Sequence, residues 1–371
     1  MWHASASDRH DTSAAEPDRD ASSLRRVMRR AWAVAGLALI VVAFAPSQAQ
    51  EIEFLRIGTG STAGTYFPVG GLIASVISSP PGSRECERGG SCGVDGLIAV
   101  AVSTNGSVAN VDAIASGELE SALGQADIAY WAYTGTGIFE ERGPVEKLRS
   151  IANLFPESVH IVMRREILLR SVAELRGKRI SVDRKGSGTR VDALLILDAF
   201  GLSPDNLELF SVSAGEAADM LRANELDGFF FVAGTPAAAV EELADESRIN
   251  LVPITGEPAA ALSESMPFFA PITIPSGTYF NVAQTETLSV GAQWLVSADV
   301  PEQVVYAVTK ALWHENSRRL LDGGHPKAQL IRLETALEGL GAPLHPGAER
   351  YYREIGLLEG PAPGPDLTAN Q

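Results

Sequence analysis

Arg56-Ile57-Gly58-Thr59-Gly60-Ser61-Thr62-Ala63-Gly64-Thr65-Tyr66-Phe67-Pro68-Val69-Gly70 sets a pattern that the rest of the chain repeats. The lead-in, Glu53 to Ile57, is short and largely apolar and reads as a β-strand. A turn rich in glycine and hydroxyls follows, and then a helix opens. Gly58, Gly60 and Gly64 let the backbone turn tightly and approach another group closely. Ser61, Thr62 and Thr65 set hydroxyls beside the free N–H groups of a helix N-terminus, which suits a carboxylate or a phosphate. The spacing G-x-G-x-x-x-G is one residue longer than a dinucleotide-binding turn, and no P-loop lysine follows. Two readings stay open from this stretch alone: a capped turn without a guest, or one wall of an anion site.

Upstream, residues 1–49 stand apart from any fold. Basic residues at Arg25, Arg26, Arg29 and Arg30 precede a 14-residue apolar run, Ala31 to Phe44. Ser47-Gln48-Ala49 then supplies small residues at −3 and −1, so the segment reads as a secretory signal peptide cut after Ala49. The run is too short for a bilayer, which takes about 20 apolar residues. Met28 by itself begins a leader of ordinary length, so Met1 or Met28 is the expected start. Beyond Ala49, 24 basic side chains face 41 acidic ones. Such a surface repels phosphate backbones and argues against nucleic acid as a partner. The length left suits two α/β domains.

Cys86 and Cys92 lie six apart in a glycine-rich loop. In an exported chain such a pair reads as a structural disulfide. Zinc would need further ligands, and the sequence places none beside them.

Downstream, the strand-turn-helix unit recurs. Leu97 to Val102 feeds Ser103-Thr104-Asn105-Gly106-Ser107 and a helix, and Ser121 to Gln125 feeds a helix starting at Asp127, read as its N-cap. Leu148 to Phe155 and Ser158 to Arg164 read as two strands. A turn and strand, Leu175 to Val182, feeds Asp183 to Arg190 and the helix Val191 to Phe200. Strands follow at Leu207 to Val212, Leu226 to Val232, Asn250 to Ile254 and Leu288 to Val296. This β-α alternation argues an α/β fold with mainly parallel pairing. Ligands of such sheets sit beyond the C-terminal strand ends, beside the helix N-termini.

Taken in order, these pieces resemble the TAXI-type solute receptors of TRAP (tripartite ATP-independent periplasmic) transporters, from about Phe54 to Gly356. The motifs are I-G-T-G-S-T-A-G-T-Y-F-P-V-G-G at Ile57 to Gly71, G-S-V-A-N-V at Gly106 to Val111 and G-Q-A-D-I-A at Gly124 to Ala129. L-R-G-K-R-I-S-V at Leu175 to Val182 and G-S-G-T-R at Gly186 to Arg190 continue the set. V-A-G-T-P-A-A-A-V at Val232 to Val240, I-P-S-G-T-Y at Ile274 to Tyr279 and P-L-H-P-G-A-E-R-Y-Y at Pro343 to Tyr352 complete it. The resemblance implies a type II periplasmic-binding-protein fold, with two α/β lobes, hinge strands and a ligand cleft. Residues 50–160 and 281–356 would form the first lobe, residues 161–280 the second, and residues 357–371 a disordered tail. It further implies a periplasmic receptor that closes on a small carboxylate (glutamate, a glutamine-like amino acid or a dicarboxylate) and delivers it to TRAP membrane subunits. No cofactor, metal or catalytic residue is implied. The Cys86–Cys92 loop and the long leader depart from the plainest family pattern.

Position by position, the resemblance assigns Thr62, Gly64, Thr65, Tyr66, Ser107 and Gln125 of the first lobe to the ligand. Ser187, Gly188, Thr189 and Arg190 of the second lobe join them, with Pro236 shaping the wall and Tyr279 near the hinge. Arg190 would hold a second carboxylate, or else make a surface ion pair. Gln125 or Asp127 would accept from an ammonium group. Two other readings suit the same residues less well or no better. A sensor feeding a signalling system would use the same site. A hydrolase would need a nucleophile and base, but His160 sits in an apolar strand as a core histidine and His345 reads as a packing or capping residue.

Overall fold

The computed structural model describes residues 52–359. The signal peptide and the start residue lie outside them, as does the tail from Gly360. In chain order the elements are β1 (Glu53–Gly58), α1 (Tyr66–Ile77), β2 (Ser78–Ser79), β3 (Val94–Asp95), β4 (Leu97–Val102), α2 (Ser107–Ser116), β5 (Ser121–Gln125), α3 (Ala126–Thr134) and β6 (Leu148–Arg164). Then come β7 (Arg179–Ser181), α4 (Gly188–Ala199), β8 (Glu208–Phe210), α5 (Ala214–Arg222), β9 (Gly228–Ala233), α6 (Ala238–Asp245), β10 (Ile249–Leu251), α7 (Glu257–Ser265) and β11 (Ala270–Ile274). β12 (Thr285–Ser297), α8 (Glu302–Leu312), α9 (Glu315–Gly324) and α10 (Pro346–Glu354) close the chain.

Ten strands share one sheet in the order β4-β1-β5-β12-β6-β9-β7-β8, with β10 on β6 and β11 on β12. At one end β1 pairs in parallel with β4 and β5; at the other β7 pairs in parallel with β8 and β9. In the middle β6 and β12 run antiparallel to each other, to β5 and to β9. The expected parallel pairing therefore holds at each end and fails between them. The two long strands carry the chain across and back, so they must oppose one another. The result is the expected α/β fold, two lobes joined by crossing strands.

The two strands expected at Leu148 to Phe155 and Ser158 to Arg164 are one continuous strand of 17 residues. Pro156 inside it has no N–H to give the ladder. It sits opposite Gly291, and register shifts at Ala292/Gln293 and Trp294/Leu295 of β12 absorb the irregularity. Residues before Pro156 pair with the last part of β12, whereas Ser158 to Met163 pair with β9. β12 and β9 meet β6 together at Ser158, two residues past Pro156.

Alternation sorts the side chains of each strand to the two faces of the sheet. In the wholly buried β9, Phe229 and Phe231 pack with Leu221, Val240 and Tyr279, while Phe230 and Val232 pack with Ile180, Ile196 and Val290. In β12, Trp294 faces Ile57, Ile73 and Tyr352, and its neighbour Leu295 faces Val111, Ile114 and Phe139. Each fully buried side chain of this size contributes about 1.5–3 kcal/mol. Two layered cores, one per lobe, fix the loops between them.

Cys86 and Cys92 are bonded, with Cα atoms 4.7 Å apart. Closing so short a loop contributes about 2 kcal/mol in the chain-entropy account. A histidine does stand beside the bridge, which the sequence did not reveal: His314 Nε2 lies 4.0 Å from Cys86 Sγ. Its Nδ1 accepts the Asn316 N–H at 3.2 Å, so the ring proton sits on Nε2 and faces the sulfur. That tautomer caps α9 and leaves no nitrogen lone pair for a metal.

Candidate functional site

A cavity of about 300 Å³ opens between the lobes. The N-cap residues of five helices all line it: Thr65, Gly106, Gln125, Ser187 and Ser213. Ser213 caps its own helix by accepting the Glu216 N–H. At the other four ends no side chain caps the helix. Apart from Ala109 N of α2, which donates to Gly186 O, their first turns lack a side-chain cap, and the five N-cap residues bring positive helix ends toward one space.

The loops are locked before any guest arrives. Asn110 is fully buried, and its Nδ2 donates to Thr59 O at 2.6 Å and Leu123 O at 2.7 Å. Gly106 has φ +110°, which a residue with Cβ rarely adopts, and this bend delivers Ser107 to the cavity. Ser107 Oγ donates to Gln125 Oε1 at 3.1 Å. In the second lobe Ser187 Oγ donates to Asp183 Oδ2 at 2.8 Å, and Thr189 Oγ1 accepts the Val232 N–H at 3.0 Å.

Bonds also run from lobe to lobe, so the cleft is closed. Ala109 N donates to Gly186 O at 2.9 Å, Thr65 Oγ1 to Gly234 O at 3.3 Å, and Gln125 Nε2 to Asp192 Oδ2 at 2.6 Å.

The charges are unevenly placed. Glu157, on β6, is 2% exposed, and Tyr66 Oη donates to its Oε2 at 2.6 Å. Burial pushes its carboxyl up to about 8, against the opposing pull of the Tyr66 hydrogen bond and the Lys327 charge. Its Oε1 has no protein partner among the described residues. At the mouth, Arg184 Nη2 meets Glu216 Oε2 at 2.6 Å, and this bond is the main cause that holds Glu216 down at about 2.

Nine of the twelve residues assigned from the sequence line this cavity: Thr62, Gly64, Thr65, Tyr66, Ser107, Gln125, Ser187, Gly188 and Thr189. Arg190 does not. As the third residue of α4 it turns outward, and its Nη1 donates to Ser211 Oγ at 2.7 Å. The arginine on the wall is Arg184, five residues after Arg179 of β7, where Asp183 with φ +70° bends the chain inward. Pro236 and Tyr279 sit behind the wall, in the second lobe. There the Ala237 N–H donates to Tyr279 Oη, Tyr279 Oη–H to His160 Nε2 and His160 Nδ1–H to Phe231 O. Burial pushes His160 down to about 4, so it stays neutral, as a core histidine should. His345 accepts the Gly347 N–H and caps α10, as expected. Asp127 is not the N-cap of α3; Gln125 is, and Asp127 is buried in the first turn. Glu157, Asp183, Ser213 and Glu216 also line the cavity and were missed. The Ser213-x-x-Glu216 capping box was a usable signal. So was Glu157, a lone acid before the apolar run Val159 to Met163.

Several solved structures overlap the chain. A protein from Bordetella bronchiseptica RB50 does so at 14% identity and TM-score 0.47, covering 75% of this chain and 76% of its own. The alkanesulfonate-binding protein SsuA from Xanthomonas axonopodis pv. citri, bound to MOPS, does so at 16% and 0.41, covering 75% and 82%. PhnD1 from Prochlorococcus marinus (MIT 9301), in complex with methylphosphonate, does so at 11% and 0.45, covering 82% and 99%. The family model described as NMT1-like family matches residues 57–356, which span both lobes and every wall of the cavity. The chain belongs to the NMT1-like family.

Proposed function

We propose that this protein is an exported solute receptor that captures a small organic acid by closing its two lobes and delivers it to a TRAP-type membrane transporter. The observation that carries the reading is the set of four helix N-termini without a side-chain cap, three from the first lobe and one from the second, whose N-cap residues line one small cavity. Free N–H groups and helix dipoles hold a carboxylate. A ligand that touches both lobes favours the closed state by the contacts it makes only there. The ligand residues are Thr62, Gly64, Thr65, Tyr66, Ser107, Gln125, Ser187, Gly188 and Thr189, with Glu157 added and Arg190, Pro236 and Tyr279 removed. Because β9 joins β6 at Ser158 and β11 leaves β12 at Ser289, the second lobe is taken as residues 158–289 rather than 161–280. The apolar run and small-residue cut of the leader support export to the periplasm.

Glu157 favours an amino acid such as glutamate over a plain dicarboxylate. Its free Oε1 is an acceptor inside the cavity, and an ammonium group would hold it ionised. Titration calorimetry with L-glutamate, L-glutamine and a four-carbon dicarboxylate tests the reading; binding is expected in the micromolar range, about −8 kcal/mol. Heats absent for all three count against it. Glu157→Gln should weaken an amino acid by about tenfold to a hundredfold, the loss of one charge-assisted bond, and spare a dicarboxylate. Equal losses for both would show that Glu157 does not meet an amine. A sensor would use the same pocket, and a transporter subunit that co-purifies with the loaded receptor separates the two.

A further inference from the structure

We propose that closing the cleft takes up one proton, held between Asp127 of the first lobe and Asp192 of the second. The proposal rests on the two-lobe closure argued above. Both side chains are fully buried. Asp192 Oδ2 accepts from Gln125 Nε2 across the lobe boundary at 2.6 Å. Its Oδ1 and both oxygens of Asp127 are buried without a hydrogen-bond partner among the described residues. Three buried carboxylate oxygens without a protein partner are costly, and two ionised groups there more so. One hydrogen placed on this pair relieves both problems: it removes a charge and supplies the missing donor. The step is a plain protonation. The open protein binds H⁺ from solvent as the lobes meet and returns it as they part, with no bond broken elsewhere.

Among the described residues, no cation is a leading influence on the pair. Glu157 from β6 and Tyr66 from α1 face the pair; Glu157, itself pushed up to about 8, adds to the burden on Asp192 only where it is ionised, above that value. Lys327 acts on Glu157 rather than on the pair. β5 contributes the Gln125 amide, and β9 has no ionisable side chain. α7, packed on α4, carries Glu257 and Glu264 on its exposed face. On α2, Asp112 is engaged with Arg142 at the surface.

Burial pushes Asp127 up to about 6, and burial together with the Asp127 charge pushes Asp192 well above the usual carboxylate range. When the lobes part, water reaches both groups and their ordinary values, near about 4, return. A value raised in the closed form means that closure is strongest below the ordinary range and weakens as pH rises through the raised values. For one proton the closed-to-open ratio falls by up to about tenfold per pH unit, from about pH 4 to 6 and beyond.

Small-angle scattering of the ligand-free mature protein between pH 5 and pH 8 tests this. The expected radius of gyration grows with pH, and Asp127→Asn and Asp192→Asn each remove at least half of the change. Glu157→Gln, in contrast, should leave the part below pH 6 in place. A wild-type radius that is the same at both ends of the range overturns the proposal even if neither Asn variant folds, and so do Asn variants that keep the full change. A protein that compacts on adding L-glutamate or another small acid, yet shows no pH effect alone, loses the proton step and keeps the receptor reading. One that compacts under no condition loses both.

Discussion

Gly188→Ala is expected to weaken ligand binding by at least about a hundredfold, equivalent to about 2.7 kcal/mol, while both lobes stay folded. A Cβ at Gly188 would stand 1.3 Å from Gln125 Oε1 and 3.0 Å from Ser107 Oγ. Those atoms belong to the other lobe, so the clash exists only when the cleft is shut. Gln125 has little room to yield, because Asp192 and Ser107 hold its amide from both sides. Alanine at the first position of α4 suits the helix, and the ligand-free protein should keep its far-UV spectrum and melting temperature. Calorimetric titration beside a melt of the same sample separates the two effects. Wild-type affinity in the variant would mean that Gly188 does not meet Gln125 in the bound state.

Asn110→Ala is expected to cost about 3 kcal/mol of folding stability, a large share of what a domain of this kind possesses. The side chain is fully buried and ties three segments: it donates to Thr59 O and Leu123 O, and its Oδ1 lies 2.7 Å from Thr104 Oγ1. Alanine leaves two buried carbonyls without this donor and frees the loop that sets Ser107. Urea unfolding should show a lower midpoint with an unchanged slope. A loss below about 1 kcal/mol would mean that water or a neighbour replaces the amide.

The repeated strand-turn-helix unit was legible because its signals are local. Gly106-Ser107 and Ser187-Gly188 announce a sharp turn and a helix start within a few residues, and every such turn reached the cavity. What escaped depends on direction and distance. Arg184 and Arg190 stand in the same quoted loop, and only the left-handed backbone at Asp183 decides which faces inward. Pro156 looked like a strand end, yet it lies opposite Gly291, where the ladder can miss a donor. Asp127 looked like a cap, because nothing local reveals that Asp192, 65 residues later, would be pressed toward it. His314 is in the same position with respect to Cys86, brought there by α9 rather than by spacing.

On this reading the lobes close on a small acid held by helix N-termini. Small-angle scattering of the mature protein, with and without saturating L-glutamate or another small amino or carboxylic acid that binds it, measures that closure. The predicted result is a smaller radius of gyration with the ligand, absent in Gly188→Ala. Binding that leaves the radius unchanged, or no binding by any such acid, would contradict it.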